Sequence, residues 1–386
     1  MNFVGEPKKR IGVIGTGFIS KGFILSLVDC NDLKVSKVLT RREIKACKNF
    51  PKKDVLTNSL DDLIENSDIV VECSGDVIHA TVTIDKILKA GKPVVTMNAE
   101  FHVTTGSYFV GKGIITEAEG DQPGSLAVLH ENVVQMGFRP LVYGNVKGFY
   151  NPDPTVEDML FWSKKQGLSL PMVTASTDGT KLQYEQALVA NRFGATIVQD
   201  GMLGFRSEDI KKSAFELLKK AGKIKHSISD YVVNGKSSIR VFIVAEGDPR
   251  QKESLSYLKM GAGPNYFFRQ DMILCHLEIV KTVRRILKGG DILLDNSKTP
   301  AIGIAAIAKH DIQKGHKIDH PIGSFDIRGE TVKIKKNPDH VPLGLLSNIV
   351  FKRDIEKGQV IRWDDVEVPE SLALKAWRTI ARGILK

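Results

Sequence analysis

The sequence predicts an α/β protein: a doubly wound parallel sheet, an inserted α+β substrate domain and a small C-terminal β domain. Three features of the sequence support this prediction. A glycine turn follows an apolar strand near the start of the chain, strands and helices then alternate, and the last part is rich in strands and turns. Because 386 residues exceed what one hydrophobic core usually covers, we expect three domains, at residues 1–150, 151–300 and 301–386.

The composition is that of a globular protein from a reducing compartment. Hydrophobic residues make up 42% of the chain and charged residues 26%. No apolar run approaches the roughly 18 residues that a membrane span needs, and the opening MNFVGEPKKR lacks the apolar core of a signal peptide. The cysteines show no paired spacing, which argues against disulfides and a zinc knuckle: Cys30, Cys47, Cys73 and Cys275. We therefore expect a cytoplasmic protein that does not enter the membrane.

The net charge of +10 is compatible with nucleic acid, anionic lipid or phosphorylated small molecules as partners. It is equally typical of a lysine-rich surface that only meets water. The lysines are scattered over the whole length, without a block interleaved with aromatic residues, and this argues against nucleic acid. A phosphorylated or anionic small molecule is the partner we predict.

The stretch RIGVIGTGFIS, from Arg10, predicts a strand, a glycine turn and the start of a helix. In its pattern Gly15-x-Gly17-x-x-Ser20, the first glycine permits the tight turn, and the second lets a pyrophosphate approach the backbone at the helix N-terminus. Serine stands where glycine or alanine is usual. A second strand, LKVSKVLTRRE, follows at the distance expected of a Rossmann domain. Gly15, Gly17, Phe18 and Ile19 are therefore predicted to bind a dinucleotide.

The second strand ends in Thr40-Arg41-Arg42, where NAD-specific domains usually place an acidic residue that holds the ribose hydroxyls. Arginines at this place can instead bind the 2′-phosphate of NADP. The alternative is a basic loop in a basic protein. We predict that Arg41 and Arg42 give a preference for NADP over NAD.

Two further predicted strands, DIVVECSG and KPVVTMN, end in small or polar residues. Ser74, Gly75 and Asn98 follow these strands, and ligands bind at the carboxyl ends of strands in this architecture. Ordinary turn chemistry is the alternative explanation for all three. The glycine fingerprint favours their assignment to the cofactor site.

Beyond them lie a Gly-Asp-Gln-Pro-Gly loop, a helix, and a strand that is predicted to end at Gly144. Asp121 and His130 are candidate site residues, with a helix cap and a core histidine as the alternatives. Strand-like runs within residues 224–247 predict an inserted antiparallel sheet. From Asp271 onward the sequence predicts a long helix that packs back on the first domain.

The C-terminal part contains a repeat, because KHDIQKG at residues 309–315 is echoed by KRDIEKG at residues 352–358. The simplest explanation is a repeated turn. In each copy the aspartate would cap, the isoleucine would pack, and the glycine would adopt positive φ. We expect no chemistry from this repeat.

The stretch STDGTKLQYEQALVANRFG, residues 176–194, predicts a helix that is capped by Ser176, Thr177 and Asp178. Asp178, Lys181 and Glu185 follow one another at spacings of three and four, so they share a face. From this spacing alone, Lys181 and Glu185 would be an exposed pair that contributes about 0.3 kcal/mol to stability.

Motifs along nearly the whole chain resemble the homoserine-dehydrogenase-like oxidoreductases that carry a C-terminal SAF domain, a β-clip module. They are the Gly15 fingerprint, VVTMNAE, GDQPG, DGTKLQYEQALVAN, YLKMGAGP, AKHDIQKG and PLGLL. One branch of this family is reductoisomerase-like. It resembles in activity the enzymes that convert 1-deoxy-D-xylulose 5-phosphate to 2-C-methyl-D-erythritol 4-phosphate with NADPH.

This resemblance implies that Lys181 lies beside a reacting carbonyl, where it can donate a proton or stabilise an alkoxide. Asp178 and Glu185 would then tune the pKa of Lys181, or hold a divalent cation, Mg or Mn. Gly263, in the GAGP run, would contact the cofactor. Homoserine dehydrogenases have Asn-Lys where this chain has Asn98-Ala99, which counts against homoserine oxidation; the next residue, Glu100, joins the candidate catalytic residues.

The sequence thus predicts NADPH-dependent reduction, with or without isomerisation, of a phosphorylated or anionic sugar-like carbonyl compound. A first alternative is homoserine-dehydrogenase-like oxidation of a small hydroxy or amino acid alcohol. A second is a protein without catalytic activity that senses a nucleotide or binds carbohydrate. The resemblance also implies a homodimer.

Overall fold

A computed structural model describes residues 7–385 of the chain. The first six residues of MNFVGEPKKR, which were weighed as a signal peptide, lie outside the described residues. Within residues 7–385, no helix is long and apolar enough to cross a membrane.

The first part of the chain forms a six-stranded, fully parallel sheet with helices on both faces. Its strands are β1 (Lys9–Ile14), β2 (Leu33–Leu39), β3 (Leu56–Thr57), β4 (Ile69–Glu72), β5 (Val94–Thr96) and β6 (Ile115–Glu117). Its helices are α1 (Phe18–Ser26), α2 (Leu60–Glu65), α3 (Val77–Lys89) and α4 (Ala99–Thr105). The strand order β3-β2-β1-β4-β5-β6 is that of a Rossmann fold, so the predicted fold class is confirmed.

Burial explains why these short segments are strands. The side chains of Ile69, Val70 and Val71 are fully buried, because helices cover both faces of a parallel sheet. Local capping sets where the helices begin: the Asp76 carboxylate accepts the backbone N–H of His79 at 3.0 Å and starts α3.

The second part of the chain is a five-stranded mixed sheet with its own helices. Its strands are β7 (Arg139–Lys147), β8 (Phe205–Arg206), β9 (Ile228–Val233), β10 (Val241–Glu246) and β11 (Asn265–Gln270), in the order β11-β10-β7-β9-β8. Its helices are α5 (Gln122–Gln135), α6 (Val156–Gln166), α7 (Leu170–Thr177), α8 (Thr180–Phe193), α9 (Ile210–Ile224), α10 (Lys252–Tyr257) and α11 (Ile279–Leu287). Helices α5 and α8 pack on one face of this sheet and α9 packs on the other.

Two sequence-based expectations for this region need correction. The strands in residues 224–247 exist, but the sheet is mixed, because β9 pairs in parallel with β7 and only β10 runs antiparallel to β7. Strand β7, which falls within residues 1–150, is the central strand of the second sheet and does not extend the first. It also continues past Gly144 to Lys147.

The long helix expected from Asp271 begins only at Ile279. Cys275 adopts φ +49°, which an α-helix does not allow, and the Glu278 carboxylate accepts the backbone N–H of Leu274 at 2.8 Å. The expected packing does occur. Ile279 and Val283 of α11 are fully buried in the hydrophobic core of the first sheet.

The last part of the chain forms small antiparallel sheets, as predicted, and ends in a helix. Its elements are β12 (Ile302–Ala308), β13 (Lys317–Ile318), β14 (Ile327–Lys333), β15 (Ile349–Phe351), β16 (Val366–Glu367) and α12 (Leu372–Leu385). This part does not have a core of its own. Ile304 and Leu343 belong to the same buried cluster as Leu188 of α8, and α12 packs on α3 and α4.

The repeated turns lie face to face. Ile312 and Ile355 exchange two backbone hydrogen bonds of 2.8 Å each. The predicted roles hold, since both isoleucines are buried and Gly315 and Gly358 adopt φ of +86° and +83°. The capping differs in one respect: each aspartate caps the opposite copy, with Asp354 accepting the N–H of Lys314 and Asp311 that of Lys357.

Candidate active site

The glycine turn after β1 is built to leave its outer side open. Gly15 has φ +107°, and a Cβ there would lie 2.9 Å from the carbonyl oxygen of Cys73, so only glycine fits. Gly17 caps α1 without a side chain, and a Cβ on it would meet no atom within 4 Å. Ser20 is fully buried where strand and helix pack. The open N-terminus of α1 therefore fits a dinucleotide pyrophosphate.

Beneath this edge a buried network joins the ends of β4 and β5. The Glu72 carboxylate accepts the backbone N–H of Ser74 at 2.7 Å and the side-chain amide of Asn98 at 3.0 Å. Asn98 in turn accepts the N–H of Phe101 at 2.9 Å and starts α4. Because Asn98 is fully buried, its side chain supports the cofactor edge from below and does not face the open cleft. Burial raises the pKa of Glu72.

A cleft of about 310 Å³ opens at the carboxyl edge of the first sheet. It brings together six of the residues predicted from sequence: Ile19, Arg41, Ser74, Gly75, Glu100 and Lys181. Helix α7 contributes Pro171, Met172 and Ala175 to its walls. The C-terminal part contributes His320, Pro321, Ile322, Gly344 and Ser347, which sequence reasoning did not place in the site.

Arg41 lies just beyond the end of β2, and its side chain is 62% exposed. Its guanidinium lies 2.8 Å from the carboxylate of Asp76. Arg42 is also exposed, but it does not line the cleft. Of the two predicted arginines, Arg41 is therefore the one placed to bind a phosphate at this edge.

The start of the central helix differs from the sequence prediction. Ser176 and Thr177 end the separate helix α7, and Gly179, at φ +86°, breaks the chain direction before α8 begins at Thr180. Asp178 still caps α8, because its carboxylate accepts the Thr180 N–H at 2.9 Å. Its other oxygen lies 2.7 Å from the Lys309 amine, in a pair that is shielded from water. Asp178 thus faces Lys309 and not Lys181.

Lys181 projects into the cleft with its side chain 26% exposed, and its Nζ lies 4.0 Å from Oε1 of Glu100. The Glu100 carboxylate, with Asp121 and Glu185, holds the pKa of Lys181 above its usual range, although burial acts in the opposite direction. Lys181 is consequently a protonated cation. The exposed Lys181–Glu185 pair expected from helical spacing is not formed, since Glu185 is only 2% exposed and turns to other partners.

Glu185 binds Lys147, a residue that sequence reasoning missed. The Lys147 Nζ and the Asn145 side-chain amide each lie 2.8 Å from Oε2 of Glu185. Lys147 follows Gly144 on β7, at the strand end where site residues of this architecture collect, and that position was the available signal.

The two remaining candidates have different fates. Asp121 starts α5, where it accepts the Gln122 N–H at 3.0 Å; burial and then the Glu185 charge raise the pKa of Asp121 to about 6. Its charge also interacts with Lys181, so it belongs to the site. His130 bonds the Tyr143 hydroxyl at 2.8 Å and stacks on Phe193, as a core histidine does.

The donors predicted for a divalent cation are already engaged. Asp178 faces Lys309 at 2.7 Å and Glu185 faces Lys147 at 2.8 Å. Within residues 7–385, no group of three or more histidine, cysteine or acidic side chains is arranged to hold a metal ion. These carboxylates are therefore better described as partners of lysines than as metal ligands.

Two predicted cofactor contacts lie away from the cleft. Phe18 is 46% exposed, and its ring meets that of His276 edge to face, with centroids 5.6 Å apart. Gly263 precedes β11 at the end where Asn265 and Glu246 pair and Glu246 pairs with Arg139, the first residue of β7. Lys147 ends β7 eight residues later, roughly 26 Å away. The structure thus separates Gly263 from the site.

Two family models match the chain. Residues 12–108 match the NAD binding domain of homoserine dehydrogenase, and residues 120–279 match the catalytic domain of oxidoreductase DRL. The chain is an NAD(P)-dependent oxidoreductase. The catalytic domain of this oxidoreductase spans Asp121, Lys147, Lys181 and Glu185, and its NAD-binding domain spans Gly15 to Glu100. The predicted SAF character of the last part of the oxidoreductase stays a prediction.

No curated protein matches this oxidoreductase in sequence. Among solved structures, UDP-N-acetylglucosamine 3-dehydrogenase GnnA from Acidithiobacillus ferrooxidans is 11% identical, with 75% of this chain and 93% of that chain covered and a TM-score of 0.43. An oxidoreductase from Bacillus cereus is 13% identical, with coverages of 75% and 92% and a TM-score of 0.40. Similarities this low carry no argument about substrate.

Proposed function

We propose that this enzyme uses NADPH to reduce a carbonyl group of a phosphorylated or otherwise anionic, sugar-like substrate in the cytoplasm. One observation supports the proposal above all others. A single cleft is lined by the strand-end residues Ser74 and Gly75, suited to a dinucleotide, and by the cationic Lys181. Carbonyl reduction needs a hydride donor beside a group that stabilises negative charge on oxygen, and this cleft provides room for both.

NADPH supplies the hydride when it is bound along the turn from Gly15 to Ser20. The Lys181 ammonium donates a hydrogen bond to the carbonyl oxygen, and the bond strengthens as negative charge develops there. Lys181 then gives that oxygen a proton, a favourable transfer because an alkoxide is a stronger base than an amine. Glu100, 4.0 Å away, keeps Lys181 protonated for this task. The product is an alcohol, and the lysine regains its proton from water.

The preference for NADPH over NADH is proposed to rest on Arg41. No acidic residue stands in the segment Thr40-Arg41-Arg42, and the exposed Arg41 guanidinium lies at the edge of the cleft. Replacing Arg41 by alanine should weaken NADPH binding by about 1.5 kcal/mol, roughly tenfold in Kd, and leave NADH binding unchanged. Arg42→Ala is the matched control and should bind both nucleotides as the wild type does. Equal affinity of the wild type for NADH and NADPH would overturn this preference.

The substrate class is tested by following NADPH consumption with sugar phosphates, each beside its unphosphorylated analogue. We expect turnover of the phosphorylated member of a pair. NMR of the product carbon skeleton separates plain reduction from reductoisomerisation, and addition of a chelator tests the predicted Mg or Mn requirement. Oxidation of homoserine with NADP⁺ would favour the homoserine-dehydrogenase-like alternative. Tight NADPH binding without turnover of any carbonyl compound would favour the sensing protein.

A homodimer is also part of the proposal, on the basis of the family resemblance alone. Light scattering of the purified protein measures the mass directly. A mass of 42.6 kDa, that of one chain, would contradict it.

A further inference from the structure

Three polar contacts join the C-terminal part of the chain to the first turn of α8. Lys309, just after β12, lies 2.7 Å from the Asp178 carboxylate. On β14, the Gly329 N–H donates to the Thr180 hydroxyl at 2.9 Å, and the Thr331 N–H donates to the Gln183 side chain at 2.9 Å. All three contacts are buried, so they hold the helix start firmly.

These contacts lie on the side of α8 that faces away from the cleft. Thr180 and Gln183 are three residues apart and share one face of the helix. Lys181 and Glu185 are four residues apart and share the opposite face, which points to Glu100 and to Lys147. The C-terminal part therefore fixes how α8 is rotated about its own axis, and this rotation decides where the Lys181 amine lies.

The repeat offers an internal comparison for Lys309. Its counterpart in the second copy is Lys352, which is exposed and whose side chain forms no hydrogen bond or ion pair in the structure of residues 7–385. Lys309 is instead 1% exposed, and its amine also donates to the Ser324 carbonyl oxygen at 2.6 Å. The turn itself therefore does not require a buried lysine. Only the first copy uses its lysine to reach the helix that carries Lys181.

We propose that Lys309 is a positioning residue: through Asp178 it fixes the first turn of α8 so that the Lys181 amine faces Glu100 in the substrate cleft. The inference deepens the proposed function, because it concerns the same lysine. It also assigns a task to the C-terminal part, which both walls the cleft and sets the rotation of the catalytic helix.

The test uses the full-length protein and pyridoxal 5′-phosphate, an anionic aldehyde that forms an imine with unprotonated lysine amines. After borohydride reduction, peptide mass spectrometry gives the labelling rate of Lys181 relative to that of Lys147. In Lys309→Met, Lys181 should leave Glu100 and lose its proton more easily, so this ratio should rise at least fivefold. General loosening of the fold would raise labelling at both lysines and leave the ratio unchanged.

Lys352→Met is the matched control and should keep the wild-type ratio within twofold. Lys309→Arg, which retains the charge, should restore the ratio at least in part. If Lys309→Met does not fold, Asp178→Asn is measured in its place, because asparagine keeps an acceptor for the Thr180 N–H and removes only the charge facing Lys309. A folded variant of either kind with an unchanged ratio would overturn the proposal.

Turnover separates the two layers of the argument. In Lys309→Met, kcat should fall at least tenfold while the Kd for NADPH stays within twofold. If the wild type turns over no carbonyl substrate, the proposed function fails, yet the labelling ratio still decides whether Lys309 positions Lys181.

Discussion

The Nζ of Lys147 lies 2.8 Å from Oε2 of Glu185, and this pair joins the end of a central strand to the helix that carries Lys181. Asn145 donates to the same carboxylate oxygen, so both partners on the strand hold Glu185 in place. The pair is nearly enclosed, with the Lys147 side chain 17% exposed and that of Glu185 2% exposed.

Replacing Lys147 by methionine should leave an almost buried carboxylate without its cation. We expect a loss of roughly 2–4 kcal/mol in the free energy of unfolding, because an uncompensated buried charge is costly. The double variant Lys147→Met/Glu185→Gln removes both charges and should recover most of this loss. Urea unfolding of the two single variants and the double variant measures the coupling. A double variant whose loss equals the sum of the two single losses would show that the charges do not interact.

Replacing Lys181 by methionine should affect chemistry and not folding. Its amine is partly exposed and its only ion-pair partner is 4.0 Å away, so we expect less than about 1 kcal/mol of lost stability. The loss of alkoxide stabilisation should lower kcat by about 10² to 10⁴, or roughly 3 to 5 kcal/mol. Lys165→Met, at an exposed position on α6, is the control for methionine substitution itself. Thermal melts, NADPH titration and turnover on both variants decide the matter, and unchanged turnover in Lys181→Met would remove Lys181 from the mechanism.

The two glycines of the turn should respond differently to alanine. Gly17→Ala should fold normally, since its Cβ would meet no protein atom within 4 Å, but it should weaken NADPH binding at least tenfold by filling the space beside the helix N-terminus. Gly15→Ala should destabilise the protein itself, because it combines φ +107° with a contact of 2.9 Å to the backbone of Cys73. Melting temperatures and NADPH affinities of the two variants separate these effects. Normal NADPH binding by Gly17→Ala would place the pyrophosphate elsewhere.

Asp121 should make stability depend on pH. Its pKa is about 6 in the folded protein and roughly 3.9 in an unfolded chain. Between these values the folded state holds a proton that the unfolded state has lost, so the contribution of Asp121 to stability falls as the pH rises through this window. Asp121→Asn keeps the helix cap and cannot titrate, so it should gain stability relative to the wild type from pH 4 to pH 7. Unfolding measured at several pH values in this range gives the difference, and a constant difference would contradict the prediction.

The fold of the first domain follows from local sequence. Apolar runs such as DIVVECSG can only be buried strands, and the turn from Gly15 to Ser20 specifies a backbone conformation and an open helix N-terminus by itself. The carboxyl edge of that sheet was therefore identifiable as a ligand site, and Ile19, Arg41, Ser74, Gly75, Glu100 and Lys181 do line one cleft there.

The sequence by itself thus determined the α/β class, the glycine turn and the repeated turns, because each depends on conformational preferences over a few neighbouring residues. The tertiary structure alone decided which neighbours the charges of α8 meet. Helical spacing places Lys181 and Glu185 on one face, but it contains no information about what packs against that face. Asp178 pairs with a lysine 131 positions further along the chain, and Glu185 with one on a separate strand. Such contacts exist only after distant segments have packed together, since burial, and not local preference, pairs these charges.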